Sequence, residues 1–183
     1  SRSLFTQGYK YMFAVLSTSE YYLAPVLDIM ADKAKAMGKN PADLRISMAF
    51  ENDGFSLDVR AGVVDKAKEH GMKIVIDDKL PADLSDMSAT LTKTKALKPD
   101  ILLVSGHSKG AATAARQIEE MKIDVPLIAY THCEAAKVQE KFPKSANGVM
   151  CPTQWLSNLP KGDDYFGDAA KWNSDFKKSY PEY

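Results

Sequence analysis

The chain has 183 residues with 24 basic and 24 acidic side chains, so its formal charge favours neither nucleic acid nor an anionic membrane as a partner. Its apolar share of 45% and charged share of 26% are typical of a globular domain that buries a substantial core. The apolar runs are far shorter than the roughly 20 residues that a membrane span requires. Because the chain opens without Met or a signal-peptide pattern, we expect the start of a mature or trimmed product.

Strand-like and helical patterns alternate along the chain. In chain order, the predicted elements are strand 9–15, helix 17–37, strand 44–50, helix 55–70, strand 72–76, helix 83–98, strand 101–104, helix 111–121, strand 126–130, helix 134–142, strand 147–151 and helix 164–178. Ser17 and Glu20 have capping-box spacing at the first helix. The alternation predicts an α/β fold: a doubly wound, mostly parallel sheet of five to six strands with helices on both faces.

Three of the predicted strands run directly into short polar clusters. These clusters are residues 51–54, 105–108 and 130–133. The carboxyl ends of parallel strands share one edge of the sheet, where loops and helix N-termini bind ligands. We therefore predict a ligand-binding edge, and two of the three histidines, His107 and His132, lie on it.

Neither the two cysteines nor any sequence motif points to a cofactor. Cys133 and Cys151 follow consecutive strands and are candidates for a disulfide in an oxidising compartment, while two free thiols are the commoner alternative. The metal-capable side chains His107, His132, Cys133 and Glu134 lack a closed ligand spacing. No phosphate loop, dinucleotide fingerprint or nucleophile elbow is present, so we predict no metal, cofactor or catalytic residue.

Four segments in order carry a family resemblance. They read MAFENDGF at 48–55, LPADLS at 80–85, LTKTKALKPDILLVSG at 91–106 and ARQI at 115–118. In this order they resemble the type I periplasmic solute-binding proteins of ABC transporters, in the branched-chain amino acid (Leu/Ile/Val) receptor group. None of the four segments is specific for this family alone, but their order and spacing together are.

The resemblance implies two hinged lobes, of which this chain covers mainly one. Residues 1–13 correspond to the end of the first lobe, 14–152 to the second lobe and 153–183 to the return crossover and helix. The implied function is that of a periplasmic or lipid-anchored receptor, monomeric when complete. It would bind a small solute between its lobes and deliver it to a membrane permease. We expect no catalysis and no cofactor.

The resemblance also suggests site residues. Phe55 corresponds to an aromatic residue that closes over the ligand, although it also fits the first core residue of a helix. His107 falls where a polar contact is common, and its alternative is an exposed loop histidine. Thr131 and His132 stand where amino acid receptors place an acid for the ammonium group. Further ligand-binding candidates are Asn52, Ser105, Ser17, Thr18, Tyr21 and Gln154.

The predicted cargo is an amino acid-like molecule or an aromatic or aliphatic carboxylate. After the fourth strand the first carboxylate is Glu134, and two histidines occupy this edge, so an organic acid is favoured. Two other functions stay open: an α/β enzyme domain with His107 or His132 as general base, and the ligand-sensing domain of a regulator.

Overall fold

Alternating strands and helices build the chain, as the computed structural model shows for residues 2–134, 136–165 and 167–182. The helices are α1 Arg2–Phe5, α2 Ala24–Ala36, α3 Gly54–His70, α4 Ser88–Leu97, α5 Ser108–Glu120, α6 Ala136–Lys141, α7 Pro143–Ala146 and α8 Ala169–Ser179. The strands are β1 Arg45–Glu51, β2 Lys73–Leu80, β3 Ile101–Ser105, β4 Leu127–Tyr130, β5 Gly162–Asp163 and β6 Gly167–Asp168. Short 3-10 turns cover Ser19–Tyr21 and Pro41–Asp43.

The chain divides into two compact units, Ser1–Pro152 and Thr153–Tyr183. In the first unit, four strands form a parallel sheet in the order β2-β1-β3-β4. The predicted α/β fold with a mostly parallel sheet is confirmed. None of the described helices has the length and apolar character needed to cross a membrane.

Helices cover both faces of this sheet because its central strands are apolar on both sides. On β3, Ile101 and Leu103 pack towards α2 and α3, whereas Leu102 and Val104 pack towards α4 and α5. Each face therefore has its own buried cluster. The two layers fix the carboxyl ends of the strands in space.

Among the described residues, the parallel sheet has four strands, so the predicted count of five to six strands for this sheet is wrong. The segment 9–15 has bends and irregular backbone, and none of the described strands pairs with it. Tyr11 and Phe13 are largely exposed. The segment 147–151 contributes one parallel bridge, from Met150 to Ala129. Gly148 has a φ of +80°, which interrupts an extended run just before that bridge.

Several predicted helices begin later in the structure. The helix predicted from residue 17 starts at Ala24 as α2, since Pro25 suits its first turn and residues 19–21 form a 3-10 turn instead. The helix predicted from residue 83 starts at Ser88, because Leu84 adopts a left-handed conformation with φ of +33°. Strand β2 extends to Leu80, paired with Glu51 at the end of β1.

The carboxyl-terminal part of the first unit is tied by a disulfide. Cys133 and Cys151 are bonded, with their Cα atoms 5.5 Å apart, so the structure has the disulfide rather than two thiols. The bond joins the loop after β4 to the segment that follows Gly148. Helix α6 ends at Lys141, and Pro143 opens the short helix α7, as a proline in a first helical turn can.

The second unit holds the β5–β6 hairpin, which was not predicted, and helix α8. Asp168 caps α8 by accepting a hydrogen bond from the backbone N–H of Lys171 at 2.7 Å, so this helix begins later than residue 164. Trp172 and Phe176 stack on its surface with ring centres 5.2 Å apart. Two residues of predicted helices, Ala135 and Phe166, lie outside the described residues.

Candidate functional site

Three rings converge at the carboxyl edge of the parallel sheet. The ring centre of Phe55 lies 5.6 Å from that of His107 and 5.7 Å from that of His132. The two imidazoles are 5.7 Å apart, and Tyr22 meets the edge of Phe55 at 5.3 Å. We call Phe55, His107 and His132 the ring cluster. It brings together three residues that the sequence predicts as ligand contacts.

Helix caps position two members of the ring cluster. Asp53 caps α3 by accepting a hydrogen bond from the Ser56 N–H at 2.8 Å, which fixes Phe55 in the first turn of the helix. His107 occupies the N-cap position of α5 with an extended backbone. It therefore stands beside the positive end of a 13-residue helix.

His132 is held in an uncommon backbone conformation. Its φ is +60°, in the left-handed region that non-glycine residues rarely adopt. Its Nδ1 lies 2.9 Å from the carbonyl oxygen of Gly106, which only accepts hydrogen bonds, so Nδ1 carries the proton. In the neutral ring, Nε2 is then left as an acceptor. Strain of this kind is common where a side chain must point into a site.

Thr131 and Ser105 support the edge from beneath rather than face it. The Thr131 hydroxyl donates to the carbonyl oxygen of Gly106 at 2.6 Å and accepts from its N–H at 3.0 Å. The Ser105 hydroxyl donates to the hydroxyl of Ser56 at 3.1 Å. Both residues are buried, so their side chains brace the loops that carry the two histidines.

The other predicted residues are not members of the ring cluster. Asn52 is exposed, and its backbone N–H donates to Leu80 at 2.8 Å. Ser17 and Tyr21 are exposed and Thr18 is half-buried, while the neighbouring Tyr22 is the residue that contacts Phe55. Gln154, which is half-buried, belongs to the second unit.

Two carboxyl groups that were not predicted as site residues lie against His107. Its Nε2 is 3.1 Å from Oδ2 of Asp53 and 3.9 Å from Oε2 of Glu51. Both acids belong to the polar cluster that follows β1. The sequence does show two acids after the strand, which could indicate a site. Each acid also fits a structural role, however: Glu51 as the end of a strand and Asp53 as a helix cap.

Burial separates the protonation behaviour of these two acids. Burial raises the pKa of Glu51 to about 7, and the neighbouring Asp53 acts in the same direction, against the opposing charge of His107. Burial also acts to raise the pKa of Asp53. However, the Ser56 N–H, Glu51 and His107 together hold that pKa below its ordinary value. Asp53 is therefore the ionised member of the pair near neutrality.

In the sequence, Cys133 and Glu134 carry metal-capable side chains close to His132. Cys133 is bonded to Cys151, so its sulfur is not available as a thiolate ligand. Glu134 is exposed. The described side chains thus offer Glu51 and Asp53, rather than Cys133 and Glu134, as ligand atoms near His107.

The chain is similar to known proteins over most of its length. A family model described as "Periplasmic binding protein" matches residues 5–183. A curated relative is the Leu/Ile/Val-binding protein homolog 8 of Brucella abortus. It is 23% identical over 115 residues, which are 62% of this chain and 28% of the relative.

Solved structures share the fold over nearly the whole chain. A leucine-binding protein from Thermotoga maritima matches with a TM-score of 0.75 at 19% identity, covering 97% of this chain and 48% of that protein. An ABC transporter substrate-binding protein from Desulfitobacterium hafniense, in complex with Leu, gives 0.70 at 15% identity, covering 99% and 48%. A solute-binding protein from R. palustris, in complex with benzoate, gives 0.68 at 12% identity, covering 89% and 41%. The chain thus spans less than half the length of these proteins.

Proposed function

This chain belongs to the periplasmic binding protein family, and from that premise we propose that it forms one wall of the solute cleft of an ABC-transporter receptor. The observation that carries the proposal is the ring cluster of Phe55, His107 and His132 at the carboxyl edge of the sheet. Open parallel sheets bind their ligands at this edge. Three rings within 6 Å of one another offer a small solute both an apolar surface and hydrogen-bonding nitrogens.

The chemistry of the cluster favours a small carboxylate with an apolar body. Phe55 supplies a ring face, and His132 presents Nε2, which donates a hydrogen bond when the ring is protonated. The N-terminus of α5 adds favourable potential for an anion. Leu and benzoate, the ligands of two structurally similar receptors, both combine a carboxylate with an apolar group.

The acids beside His107 widen the proposed cargo class. Sequence reasoning favoured an organic acid because the first carboxylate after β4 is Glu134. Glu51 and Asp53 nevertheless bring carboxyl groups to the same edge, from the loop after β1. An α-ammonium group would find a counter-charge there. We therefore propose an amino acid-like solute or an aromatic or aliphatic carboxylate, carried rather than converted.

The same proposal assigns the parts of the chain their roles. Residues 14–152 form the second lobe, while 1–13 and 153–183 correspond to its connections with the first lobe. Closure of two lobes around one solute would create the form that a membrane permease recognises. The receptor would act outside the cytoplasm, as a monomer, either in the periplasm or held by a lipid anchor.

A thermal-shift screen of the complete protein tests this function. The panel contains branched-chain amino acids and aliphatic and aromatic carboxylates. A solute present at 100 times its Kd should stabilise the folded state by about 2.7 kcal/mol and raise the Tm. The proposal fails if no member of such a panel shifts the Tm.

Variants connect the shift to the ring cluster. Phe55→Ala and His132→Ala should each abolish most of the solute-induced shift. His70→Ala is the matched control, because His70 lies at the other end of α3, about 22 Å from Phe55 along the helix axis. Equal loss of the shift in all three variants would contradict the proposal that the ring cluster lines the solute cleft.

A further inference from the structure

Three side chains with metal-ligand atoms meet at His107 of the ring cluster: Glu51, Asp53 and His107 itself. One ligand atom from each lies within 4.8 Å of the other two. Nε2 of His107 is 3.1 Å from Oδ2 of Asp53 and 3.9 Å from Oε2 of Glu51. In a tetrahedral zinc site with bonds of about 2.0–2.1 Å, neighbouring donor atoms are about 3.3 Å apart. The two distances lie on either side of that separation.

A buried oxygen without a hydrogen-bond partner is a second observation that points to a cation. The Glu51 side chain is only 2% exposed, and its Oε2 has no hydrogen-bond partner among the described residues. Buried carboxylate oxygens are normally hydrogen-bonded, paired or bound to a metal. In the described part of the chain, His107 is the only basic side chain paired with Glu51 or Asp53.

The surrounding backbone fixes both carboxyl groups. Oδ1 of Asp53 accepts the Ser56 N–H, which leaves Oδ2 directed at His107. A Cβ atom at Gly106 would come within 2.7 Å of Oε1 of Glu51, and one at Gly110 within 2.9 Å. The two glycines therefore leave the space that the Glu51 carboxyl group occupies. Such support is what orients ligands in metal sites.

We propose that Glu51, Asp53 and His107 form a binding site for a divalent transition-metal ion of the zinc class. One imidazole and two carboxylates are ligands that Zn²⁺ accepts. Three protein ligands leave a fourth position for water or an oxygen of the cargo. His107 is 56% exposed at its side chain, so an ion can reach the site from solvent.

A second histidine and carboxylate group serves as the internal comparison. Asp28, Glu69 and His70 also bring three ligand atoms within 4.8 Å. There, however, the ammonium group of Lys66 lies 3.4 Å from Asp28 and 2.8 Å from Glu69. A cation already neutralises those carboxylates, so the metal should prefer the site at His107.

The test uses the complete protein, stripped with EDTA and dialysed, and titrated calorimetrically with Zn²⁺ alone. We expect one ion per chain. Glu51→Gln, Asp53→Asn and His107→Ala should each weaken Zn²⁺ binding at least about tenfold, since even changes to supporting residues cost 10- to 100-fold. Gln keeps the size of Glu51, and Asn at 53 still caps α3, so these variants preserve the fold. His70→Ala should bind as the parent does.

Co²⁺ in place of Zn²⁺ adds a spectroscopic readout. Its visible absorption should change when His107→Ala removes the nitrogen ligand and stay unchanged in His70→Ala. Absence of stoichiometric Zn²⁺ binding to the folded parent would overturn the proposal. So would loss of binding in His70→Ala together with its retention in His107→Ala.

Discussion

Replacing Glu51 with glutamine should stabilise the protein at alkaline pH far more than at acidic pH. Glu51 is buried beside Asp53, and burial raises its pKa to about 7 from an ordinary value of 4.5. The folded chain therefore holds this proton more tightly than the unfolded chain does. The stabilisation from that proton is complete below about pH 4.5 and is lost as the pH rises through 7.

The size of the effect follows from the same difference in pKa. At 1.36 kcal/mol per pKa unit, ionising Glu51 in the folded state costs about 3 kcal/mol by pH 8. About 2 to 3 kcal/mol of this cost develops between pH 5 and pH 8. Glutamine has a similar size and stays neutral, so the variant avoids the cost.

Urea unfolding at pH 5 and pH 8, with EDTA present to exclude metal, measures this difference. The stability of Glu51→Gln relative to the parent should rise by about 2 to 3 kcal/mol between the two pH values. Glu119→Gln, the same change at an exposed position of α5, should show no such rise. An equal stability difference at both pH values would refute the reasoning about Glu51.

Two further predictions concern stability. A Cβ at Gly62 of α3 would lie 1.9 Å from the carbonyl oxygen of Glu20, so Gly62→Ala should lower the free energy of unfolding by about 3 kcal/mol or more in urea. Gly54→Ala, in the same helix with nothing within 4 Å, is the control and should stay within about 1 kcal/mol. Reducing the Cys133–Cys151 bond should cost about 3 kcal/mol, given its 18-residue separation, and lower the Tm by roughly 6–12 °C. A Gly62→Ala variant with the same free energy of unfolding as the parent would contradict the predicted clash with Glu20. A Tm that reductant leaves unchanged would contradict the predicted contribution of the disulfide.

Local sequence signals were sufficient for helix α3. Apolar Phe55, Val59 and Val63 recur every four residues, Asp53 supplies the cap, and Gly71 ends the helix with a φ of +70°. All of these interactions lie within or beside one element. The structure accordingly reproduces the predicted helix to within one residue at its start.

Strands depend on partners that the local sequence does not contain. The residues at 9–15 favour β structure, yet no neighbouring strand among the described residues pairs with them. Conversely, β2 continues to Leu80, through charged residues, because β1 offers partners as far as Glu51. Sheet membership was therefore predictable for the apolar runs that became β1 to β4, whereas the full length of β2 and the failure of 9–15 to pair depended on neighbouring strands.

The site was predictable in part for the same reason. His107 and His132 follow buried strands, so the shared sheet edge brought them together with Phe55 as expected. The contact of Glu51 and Asp53 with His107 joins residues more than 50 positions apart. The shared edge predicts that clusters 51–54 and 105–108 lie near each other, but not which carboxyl groups contact His107, because that depends on side-chain orientation.

Native mass spectrometry of the complete protein, purified without refolding, tests the proposed function most directly. Receptors that close around a solute can retain it through purification. We predict one small organic molecule bound per protein, with a mass matching an amino acid-like solute or a carboxylate, and its loss in the Phe55→Ala and His132→Ala variants. A protein that carries no solute and takes up none from the panel, or one that holds its solute equally well in both variants, would contradict the account.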